Sequence, residues 1–241
     1  PYGDQHMGSC AEECAAEYNI GREEQDEFAL ESYRRAQEAI ADGKFSEEIV
    51  PITMPSKKGD VIVDTDEEPG RLRADKVEKL RPAFKKDGTV TAANASSIND
   101  GAAALVVADP DWASAQGKTP LAKIVGWTTF SQHPTWFTTA PQGAVKKLLE
   151  QIGWSVGDVD FFEINEAFSV VSLYNNRELG LDGSNVNVRG GAVALGHPIG
   201  ASGARVLVTL LHTLKQEGKK RGIASLCNGG GEATALAVEM L

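Results

Sequence analysis

The sequence predicts a layered α/β protein, and three observations support this. At 241 residues with 41% apolar side chains, the chain is long enough to bury a substantial core. From residue 101 onward, short β-rich runs alternate with longer helical runs, a texture typical of a sheet covered by helices. The chain also shows no internal repeat. Strands are predicted at residues 102–107, 121–127, 159–164, 222–227 and 233–238, and helices at residues 141–152, 167–179 and 202–216.

The first hundred residues have a different character. Residues 9–19 and 22–42 are rich in Ala, Glu, Gln and Arg, which predicts two helices, the second of them stopping at Gly43. Beyond them, short β-rich pieces at 49–54 and 61–64 alternate with proline, glycine and charge. This pattern predicts an irregular, loop-rich module.

The charge and composition argue against several classes of partner. Lys and Arg total 24 against 34 Asp and Glu, so the net charge is -10 at pH 7. This balance repels a phosphate backbone, which argues against nucleic acid, and it requires any site for an anionic ligand to carry its own cations. No apolar run reaches the ~20 residues that span a bilayer, so no membrane partner is expected. The three cysteines form no disulfide framework, which favours a reducing compartment.

Three short motifs in the second half of the chain carry the reactive groups. They are Asn165-Glu166-Ala167-Phe168, the glycine-rich run from Gly190 to Gly200, and Cys227-Asn228-Gly229-Gly230-Gly231. Each sets one reactive side chain beside glycines or a proline, where the backbone can come close to a ligand. An imidazole and a thiol held in this way make an acid–base pair.

The run around His197 does not match the common nucleotide-binding motifs. Its glycines have the spacing of a P-loop, but His197 and Pro198 stand where a lysine and a hydroxyl residue must bind phosphate and magnesium. The dinucleotide pattern G-x-G-x-x-G is absent, and Ala204 replaces the last glycine of a nucleophile elbow. A histidine between Gly196 and Pro198, just ahead of a predicted helix, therefore indicates a functional imidazole.

The remaining reactive side chains have functional and structural interpretations. Cys227 ends a predicted strand before Asn and three glycines, where free backbone N–H groups suit acid–base work; the alternative is a buried structural thiol. The amide of Asn165 can hold a water or contact a carbonyl group, or it can cap the following helix. Cys10 and Cys14 lie four residues apart on one face of the first helix without further zinc ligands, which predicts two core thiols.

The order of these motifs and their residues closely resemble the C-terminal half of the thiolases, the acetyl-CoA acetyltransferase family. The resemblance runs from about residue 2 to residue 241, and it includes His6-Met7-Gly8, Leu80-Arg81-Pro82-Ala83-Phe84 and Thr91-Ala92-Ala93-Asn94-Ala95-Ser96. It implies a thiolase fold with α-β-α-β-α layers, in which the C-terminal half is complete, the N-terminal half is mostly absent and a loop domain is inserted. The implied domains are a loop domain at residues 1–98, the last strand and helix of the N-terminal half at 99–119, and the C-terminal half at 120–241.

The resemblance also implies a reaction. Family members join two acetyl-CoA molecules into acetoacetyl-CoA and CoA by a reversible Claisen condensation, with coenzyme A as a substrate and no required cofactor. By resemblance, His197 generates the nucleophilic thiolate and, with a water held by Asn165, forms one oxyanion hole. Cys227 moves the proton at C2 of the second acyl-CoA, and the backbone N–H of Gly229 serves a second oxyanion hole. A homo-oligomer, either tetramer or dimer, is expected in the mitochondrial matrix or the cytosol.

Contacts with the substrate and with an ion are implied in the same way. Ser96 matches a position beside the pantetheine arm. Phe137 matches an acyl-pocket position that hints at tolerance of a 2-methyl branch, although Thr138 departs from the usual proline. The nucleotide end of CoA is matched by Arg71, Arg73 and Lys76, and the other implied substrate contacts are His6, Met7, Tyr33, Phe84, Ala167 and Phe168. A possible potassium site is implied at the Tyr33 side chain and the backbone carbonyls of Ala92, Ala93, Ala95 and Val193.

One departure from the family affects what this chain does alone. The family's acylated cysteine lies upstream of the region that matches Tyr2, and neither Cys10 nor Cys14 sits in its motif. We therefore expect the chain to start inside the loop domain, to be inactive alone, and to be completed by a segment outside this sequence or by a separate piece. The alternative is a non-catalytic CoA- or lipid-binding module that has lost its first half. A decarboxylating or hydroxymethylglutaryl-type synthase is disfavoured, because such relatives replace the function of Cys227 with a histidine or an asparagine.

Overall fold

The computed structural model describes residues 4–241, so residues 1–3 of the predicted loop domain lie outside the described part. The helices are α1 (Met7–Glu17), α2 (Arg22–Ala41), α3 (Pro110–Ala115), α4 (Ala140–Ile152), α5 (Ser169–Leu179), α6 (Ala192–Leu195) and α7 (Ser202–Gln216). The strands are β1 (Ile52–Met54), β2 (Val61–Val63), β3 (Ala122–Ser131), β4 (Phe161–Ile164), β5 (Arg221–Asn228) and β6 (Glu232–Met240). Short 3₁₀ turns lie at Glu68–Arg71, Ala74–Lys79, Pro134–Thr139 and Val156–Asp158.

The larger sheet lies between two helices. Its strands are ordered β3-β6-β5-β4, with β4 parallel to β5 and the other neighbours antiparallel. Helix α4 packs on β3 and β6, and α7 packs on β4 and β5. Successive residues of a strand face opposite sides of a sheet. Accordingly, Ile223 packs in the core that contains Leu148 of α4, whereas Ala224 packs with Leu210 of α7. This part of the chain is therefore a helix–sheet–helix sandwich.

The prediction of a strand at residues 102–107 is wrong. The segment has no regular structure, and the side chains of Val106 and Val107 are 95% and 75% exposed. A strand exists only where its N–H and C=O groups pair with a neighbouring strand. No segment within residues 4–241 pairs with 102–107, so its β-branched residues do not produce a strand. Helix α3 does form in the region that follows.

The helix predicted to begin at residue 167 begins two residues later. Phe168 is extended and forms an isolated antiparallel bridge with Ala95 of the loop domain. Its two hydrogen bonds run from the N–H of Ser96 to the carbonyl of Ala167 (3.1 Å) and from the N–H of Ser169 to the carbonyl of Asn94 (2.8 Å). A tertiary contact therefore overrides the local helical pattern, and it fastens the loop domain to the end of β4.

Buried polar groups connect the parts of residues 4–98, the predicted loop domain, to one another. Its β1–β2 hairpin is short, and the stretch between that hairpin and residue 98 is irregular, as predicted. The carboxylate of Glu12 on α1 accepts hydrogen bonds from the backbone N–H groups of Thr89 and Val90. The side-chain amide of Asn94 donates to Asp26 on α2 at 2.8 Å. These bonds fix the irregular strip against the two helices.

The thiols of α1 belong to the core, which confirms their predicted structural role. Cys10 is 6% exposed and Cys14 is completely buried. Burial raises the pKa of the Cys14 thiol to about 11, so it holds its proton at neutral pH. Among residues 4–241, no helix is both long enough and apolar enough to cross a membrane.

Candidate functional site

Asn165 and Cys227 lie at the same edge of the large sheet. The parallel strands β4 and β5 end side by side, and parallel sheets place ligand sites beyond these carboxyl ends. Asn165 follows β4 directly, and its N–H donates to the carbonyl of Ser225 on β5 at 2.9 Å. Cys227 is the penultimate residue of β5. The sheet therefore brings the predicted amide and the predicted thiol to one edge.

His197 reaches this edge at the end of residues 190–197, which we call the histidine segment. The imidazole Nε2 lies 3.4 Å from Asn165 Nδ2. The backbone N–H of His197 donates to the carbonyl of Ser97 at 2.9 Å. The preceding Gly196 has a φ of 89°, and a Cβ there would lie 2.2 Å from the side chain of Asn99. Only glycine fits this turn, and the turn aims the imidazole at Asn165.

The hydrogen bonds around His197 define its tautomer. Its Nδ1 lies 2.6 Å from the hydroxyl of Ser202, which also lies 3.1 Å from the carbonyl of Pro198. A carbonyl oxygen can only accept, so Ser202 donates its one proton there and accepts from the Nδ1–H of His197. The lone pair of Nε2 then faces the Nδ2–H of Asn165 and accepts from it at 3.4 Å. This arrangement presents Nε2 as a proton acceptor.

Burial sets the proton affinities of both reactive groups. Burial lowers the pKa of His197, and the positive charge of Arg205 lowers it further, so the imidazole is neutral at neutral pH. Arg205 lies 3.7 Å from the carboxyl of Glu163, whose pKa burial raises to about 8. Burial also raises the pKa of the Cys227 thiol to about 12. The site thus pairs a neutral base with a protonated acid, an arrangement suited to proton transfer.

Gly229 lies in the turn between β5 and β6, next to Met7. Within the turn, the N–H of Gly230 donates a hydrogen bond to the side-chain oxygen of Asn228, and the N–H of Gly231 donates to the backbone carbonyl of Asn228. The N–H of Gly229 donates to no group within the described residues, so it can bind a developing anion. The sulfur of Met7 lies 2.9 Å from the position that a Cβ on Gly229 would occupy. The predicted substrate contact and the predicted oxyanion donor are therefore neighbours.

The aromatic residues predicted to contact substrate form a row. His6 stacks on Phe84 with ring centroids 4.8 Å apart, Phe84 lies 6.1 Å from Phe168, and Phe168 lies 6.3 Å from Phe137. Phe137 is completely buried, and it shares a core cluster with Cys227. The row joins the start of α1 to the core cluster that contains Cys227.

Ser96 and Ala167 lie where the loop domain meets the end of β4. The hydroxyl of Ser96 donates to the carbonyl of Ala167 at 2.9 Å, and the N–H of Ala167 donates to the carbonyl of Asn165 at 3.1 Å. Ser96 is thus hydrogen-bonded to the backbone of the Asn165 motif, of which Ala167 is itself a member.

The cations predicted to contact the nucleotide end of CoA lie on the surface. The guanidinium of Arg71 pairs with the carboxylates of Glu67 and Glu68, and that of Arg73 lies 3.6 Å from Asp75. Lys76 has no ion pair within residues 4–241. Such exposed pairs contribute little stability, so a phosphate group can compete for these cations.

The predicted potassium ligands come from three segments. Tyr33 of α2 packs in one apolar cluster with Val193 of α6. The loop that carries Ala92, Ala93 and Ala95 is fixed to the end of β4 by the bridge at Ala95. The carbonyl oxygens of Ala92, Ala93, Ala95 and Val193 accept no hydrogen bond within the described residues.

Sequence reasoning assigned no role to three residues that shape the site. They are Ser202, which fixes the imidazole; Arg205, one turn further along α7; and Glu166, a completely buried acid next to Asn165. Two signals in the sequence pointed to them. Ser202 and Arg205 lie on one face of the helix that begins five residues after His197, and Glu166 directly follows Asn165 in a predominantly apolar stretch that also contains Glu163.

Comparison with known proteins identifies the family. The family model described as "Thiolase, C-terminal domain" matches residues 118–240, and the model described as "Thiolase, N-terminal domain" matches residues 1–111. The chain belongs to the thiolase family. Its resemblance to thiolases is thereby confirmed.

Individual thiolases agree closely in sequence. The acetyl-CoA acetyltransferase of Paracoccus denitrificans is 49% identical over 241 residues, covering 99% of this chain and 61% of the relative. The acetyl-CoA acetyltransferase of Saccharomyces cerevisiae is 52% identical over 239 residues, covering 98% of this chain and 60% of the relative. The chain thus spans about 60% of the length of the curated relatives it matches.

Solved structures confirm the thiolase fold. The crystal structure of the Bacillus anthracis acetyl-CoA acetyltransferase has a TM-score of 0.96 at 47% identity, covering 100% of this chain and 61% of that protein. A thiolase from Ascaris suum, solved in complex with coenzyme A, has a TM-score of 0.92 at 48% identity, covering 98% of this chain and 60% of that protein.

Proposed function

We propose that the protein is an acetyl-CoA C-acetyltransferase that interconverts two acetyl-CoA with acetoacetyl-CoA and CoA. The observation that carries this proposal is the pair of Asn165 and His197, whose side-chain nitrogens lie 3.4 Å apart at the sheet edge where the buried thiol of Cys227 lies one residue before the end of β5. The names of the sequence relatives support the same reaction. This activity would use CoA thioesters as substrates in the metabolism of short acyl chains.

In this proposal His197 acts first as a base. The lone pair of its Nε2 takes the proton of the thiol that carries the acyl group. The resulting Nε2–H then donates to the thioester oxygen, and the Nδ2–H of Asn165 is a second donor beside it. Donors that are already oriented stabilise charge as it develops. In this proposal the acyl-carrying thiol comes from a segment outside residues 1–241, because neither Cys10 nor Cys14 lies in a sequence that matches the family's motif for the acylated cysteine.

Cys227 exchanges the proton at C2 of the second acyl-CoA. In the thiolysis direction the protonated thiol gives its proton to the carbanion that becomes acetyl-CoA. In the condensation direction Cys227 first passes its proton to Nε2 of His197, and the resulting thiolate takes a proton from the methyl group. His197 returns its proton to the nucleophilic thiolate that is released when the new C–C bond forms. The N–H of Gly229, two residues further on, stabilises the enolate oxygen. Arg71, Arg73 and Lys76 bind the nucleotide end of CoA, and the aromatic row encloses the acyl end.

The full-length protein tests this proposal against a non-catalytic CoA-binding module. Acetoacetyl-CoA thiolysis is measured beside a calorimetric titration with CoA. We expect both turnover and binding, because the acid, the base and the oriented donors are present together. Binding without turnover would favour the module, and the absence of both would contradict both proposals.

We also infer a potassium ion bound by Tyr33 and the four free carbonyl oxygens. Carbonyl oxygens that lack hydrogen-bond partners are suited to replacing the water shell of K⁺. An ion at ten times its Kd should raise the Tm in KCl over NaCl by about 2–4 °C, because it binds only the folded state. Tyr33→Phe should abolish the difference, and Tyr18→Phe should keep it. Equal Tm values in both salts for the unmodified protein would refute the site.

The proposed oligomer has surface features in its favour. Trp127 lies on β3, which is an edge strand of the large sheet, and its side chain is 66% exposed. The β1–β2 hairpin exposes Ile52 and Ile62. Exposed apolar side chains of this size are typical of surfaces that a partner subunit covers. A homodimer or homotetramer in the mitochondrial matrix or the cytosol stays a prediction.

A further inference from the structure

Glu166 is a completely buried carboxyl group next to the Asn165 amide, and it has no role in the mechanism described above. It is 1% exposed. Its Oε2 accepts from the hydroxyl of Ser32 at 2.7 Å and from the N–H of Val193 at 3.1 Å, and its Oε1 accepts from the side-chain amide of Asn187 at 2.9 Å. Burying a carboxyl group is energetically unfavourable unless its oxygens are hydrogen-bonded, and these three donors meet that requirement.

These donors belong to three separate parts of the fold. Ser32 lies on α2 of the loop domain, Asn187 lies in the loop after α5, and Val193 lies in α6 of the histidine segment. Ser32 also accepts from the N–H of Gly191 at 3.1 Å. Glu166 therefore joins the loop domain, the sheet edge and the segment that ends at His197.

The histidine segment passes very close to this carboxyl group. A Cβ at Gly191 would lie 2.2 Å from the carboxyl carbon of Glu166, and a Cβ at Gly190 would lie 2.5 Å from the carbonyl of Ser32. Two consecutive glycines thus allow the backbone to press against Glu166 and α2. Val193, which donates to Glu166, lies only four positions before His197, so a shift at Val193 moves the imidazole.

Building on the acetyltransferase function above, we propose that Glu166 is a positioning residue that anchors the histidine segment and thereby sets the distance between His197 Nε2 and Asn165. All three hydrogen bonds at Glu166 are accepted by its carboxyl oxygens. Burial raises the pKa of Glu166, and the bonds from Ser32, Asn187 and Val193 act in the opposite direction by stabilising the carboxylate. Glu166 touches neither the substrate nor the reacting atoms. Its effect on catalysis passes entirely through the position of His197.

Glu166→Gln in the full-length protein tests this proposal. The carboxamide has nearly the same size, but its NH₂ group must face the donors on one side, either Ser32 with Val193 or Asn187. The segment then shifts to relieve the repulsion between donors. We expect kcat for acetoacetyl-CoA thiolysis to fall by about tenfold or more with KM changed by less than about threefold, because misplacement by a fraction of an ångström impairs the chemical step.

Glu12→Gln is the matched control. Glu12 is also a buried carboxylate with three donated hydrogen bonds, from the N–H groups of Thr89 and Val90 and the hydroxyl of Thr89. It lies in the loop domain and holds no part of the histidine segment. Its substitution should lower the Tm without lowering kcat of the folded protein. A similar loss of Tm in both variants, with kcat retained in both, would show that Glu166 is only structural.

The nitrogen-15 chemical shifts of His197 give a readout that does not depend on turnover. We expect Glu166→Gln to move the shift of Nε2, because its contact with Asn165 changes, and Glu12→Gln to leave it in place. If the unmodified protein shows no thiolysis but the shift moves, the proposed function fails and the positioning role stands. An unmoved shift in Glu166→Gln overturns the positioning role, whatever the activity.

Ser32→Ala keeps the test decisive if Glu166→Gln does not fold. It removes one donor from Glu166 and the acceptor of Gly191 while leaving the carboxylate buried with its other two partners. We expect a smaller fall in kcat, about threefold to tenfold, with the same change in the His197 shift. Unchanged kcat together with an unchanged shift in a folded Ser32→Ala protein would count against the proposal.

Discussion

Replacing His197 with alanine in the full-length protein should lower kcat for acetoacetyl-CoA thiolysis by about 10³- to 10⁵-fold. The change removes a base, which contributes about 10²–10⁴-fold, and an oxyanion donor of similar importance, while the protein keeps its fold. The imidazole is only half buried and its backbone bond to Ser97 remains, so the Tm should change little. Steady-state kinetics and a thermal melt measure the two effects.

The control for this change is His212→Ala. His212 lies on α7, ten positions after Ser202. Its imidazole Nδ1 lies 3.9 Å from the carboxylate of Glu47 and not beside Asn165. Its loss should leave kcat unchanged. Near-normal thiolysis by His197→Ala would contradict the assignment of the base.

The pH dependence of the unmodified protein follows from the environment of His197. Because burial and Arg205 lower its pKa below the ordinary histidine value, the neutral base persists as the pH falls through 6.5. The acid limb of kcat/KM should therefore lie below this pH.

Replacing Cys227 with alanine should lower kcat for condensation by about 10²- to 10⁴-fold, because no other group exchanges the proton at C2. The two halves of the reaction should respond differently. Exchange of labelled CoA into acetyl-CoA requires only acyl transfer to the nucleophile, so it should fall much less than condensation. Equal losses in exchange and condensation would contradict a role confined to C2.

Cys14→Ala is the control for the loss of a buried thiol. Cys14 is completely buried, and its pKa is raised by the same cause as that of Cys227. Removing either sulfur leaves a small cavity that costs about 1–2 kcal/mol of folding free energy. Cys14→Ala should show that loss in a thermal melt and retain condensation. The contrast separates the chemistry of Cys227 from its packing.

The local sequence pattern was sufficient to predict the elements whose bounds are set by neighbouring residues. Helix α7 has the predicted bounds, because its apolar face and its start after Pro198 are both local signals. The strand predicted at 102–107 failed because a strand needs a partner that no local signal supplies. The start of α5 was misplaced for the same kind of reason, since Phe168 pairs with Ala95, 73 positions earlier in the chain.

The candidate site shows the same division. His197, Cys227 and Asn165 stand out in the sequence because each lies beside glycine, proline or a strand end. The anchor at Glu166 does not, since its partners Ser32 and Asn187 are 134 and 21 residues away. A hydrogen-bonded cluster assembled from distant segments has no spacing for a sequence reader to recognise.

In the proposed positioning role, the hydroxyl of Ser32 connects residues 4–98 to turnover, in addition to the substrate contacts that are predicted for this part of the chain. A chimaera that exchanges residues 1–98 for those of another thiolase would change the acyl-CoA contacts, and it would also change the support beneath the histidine segment. In this proposal, substrate specificity and kcat therefore depend on the same part of the chain. A transplanted loop domain would need to bring a hydrogen-bond donor at the position of Ser32 and a small residue at that of Ala36, against which Gly190 packs.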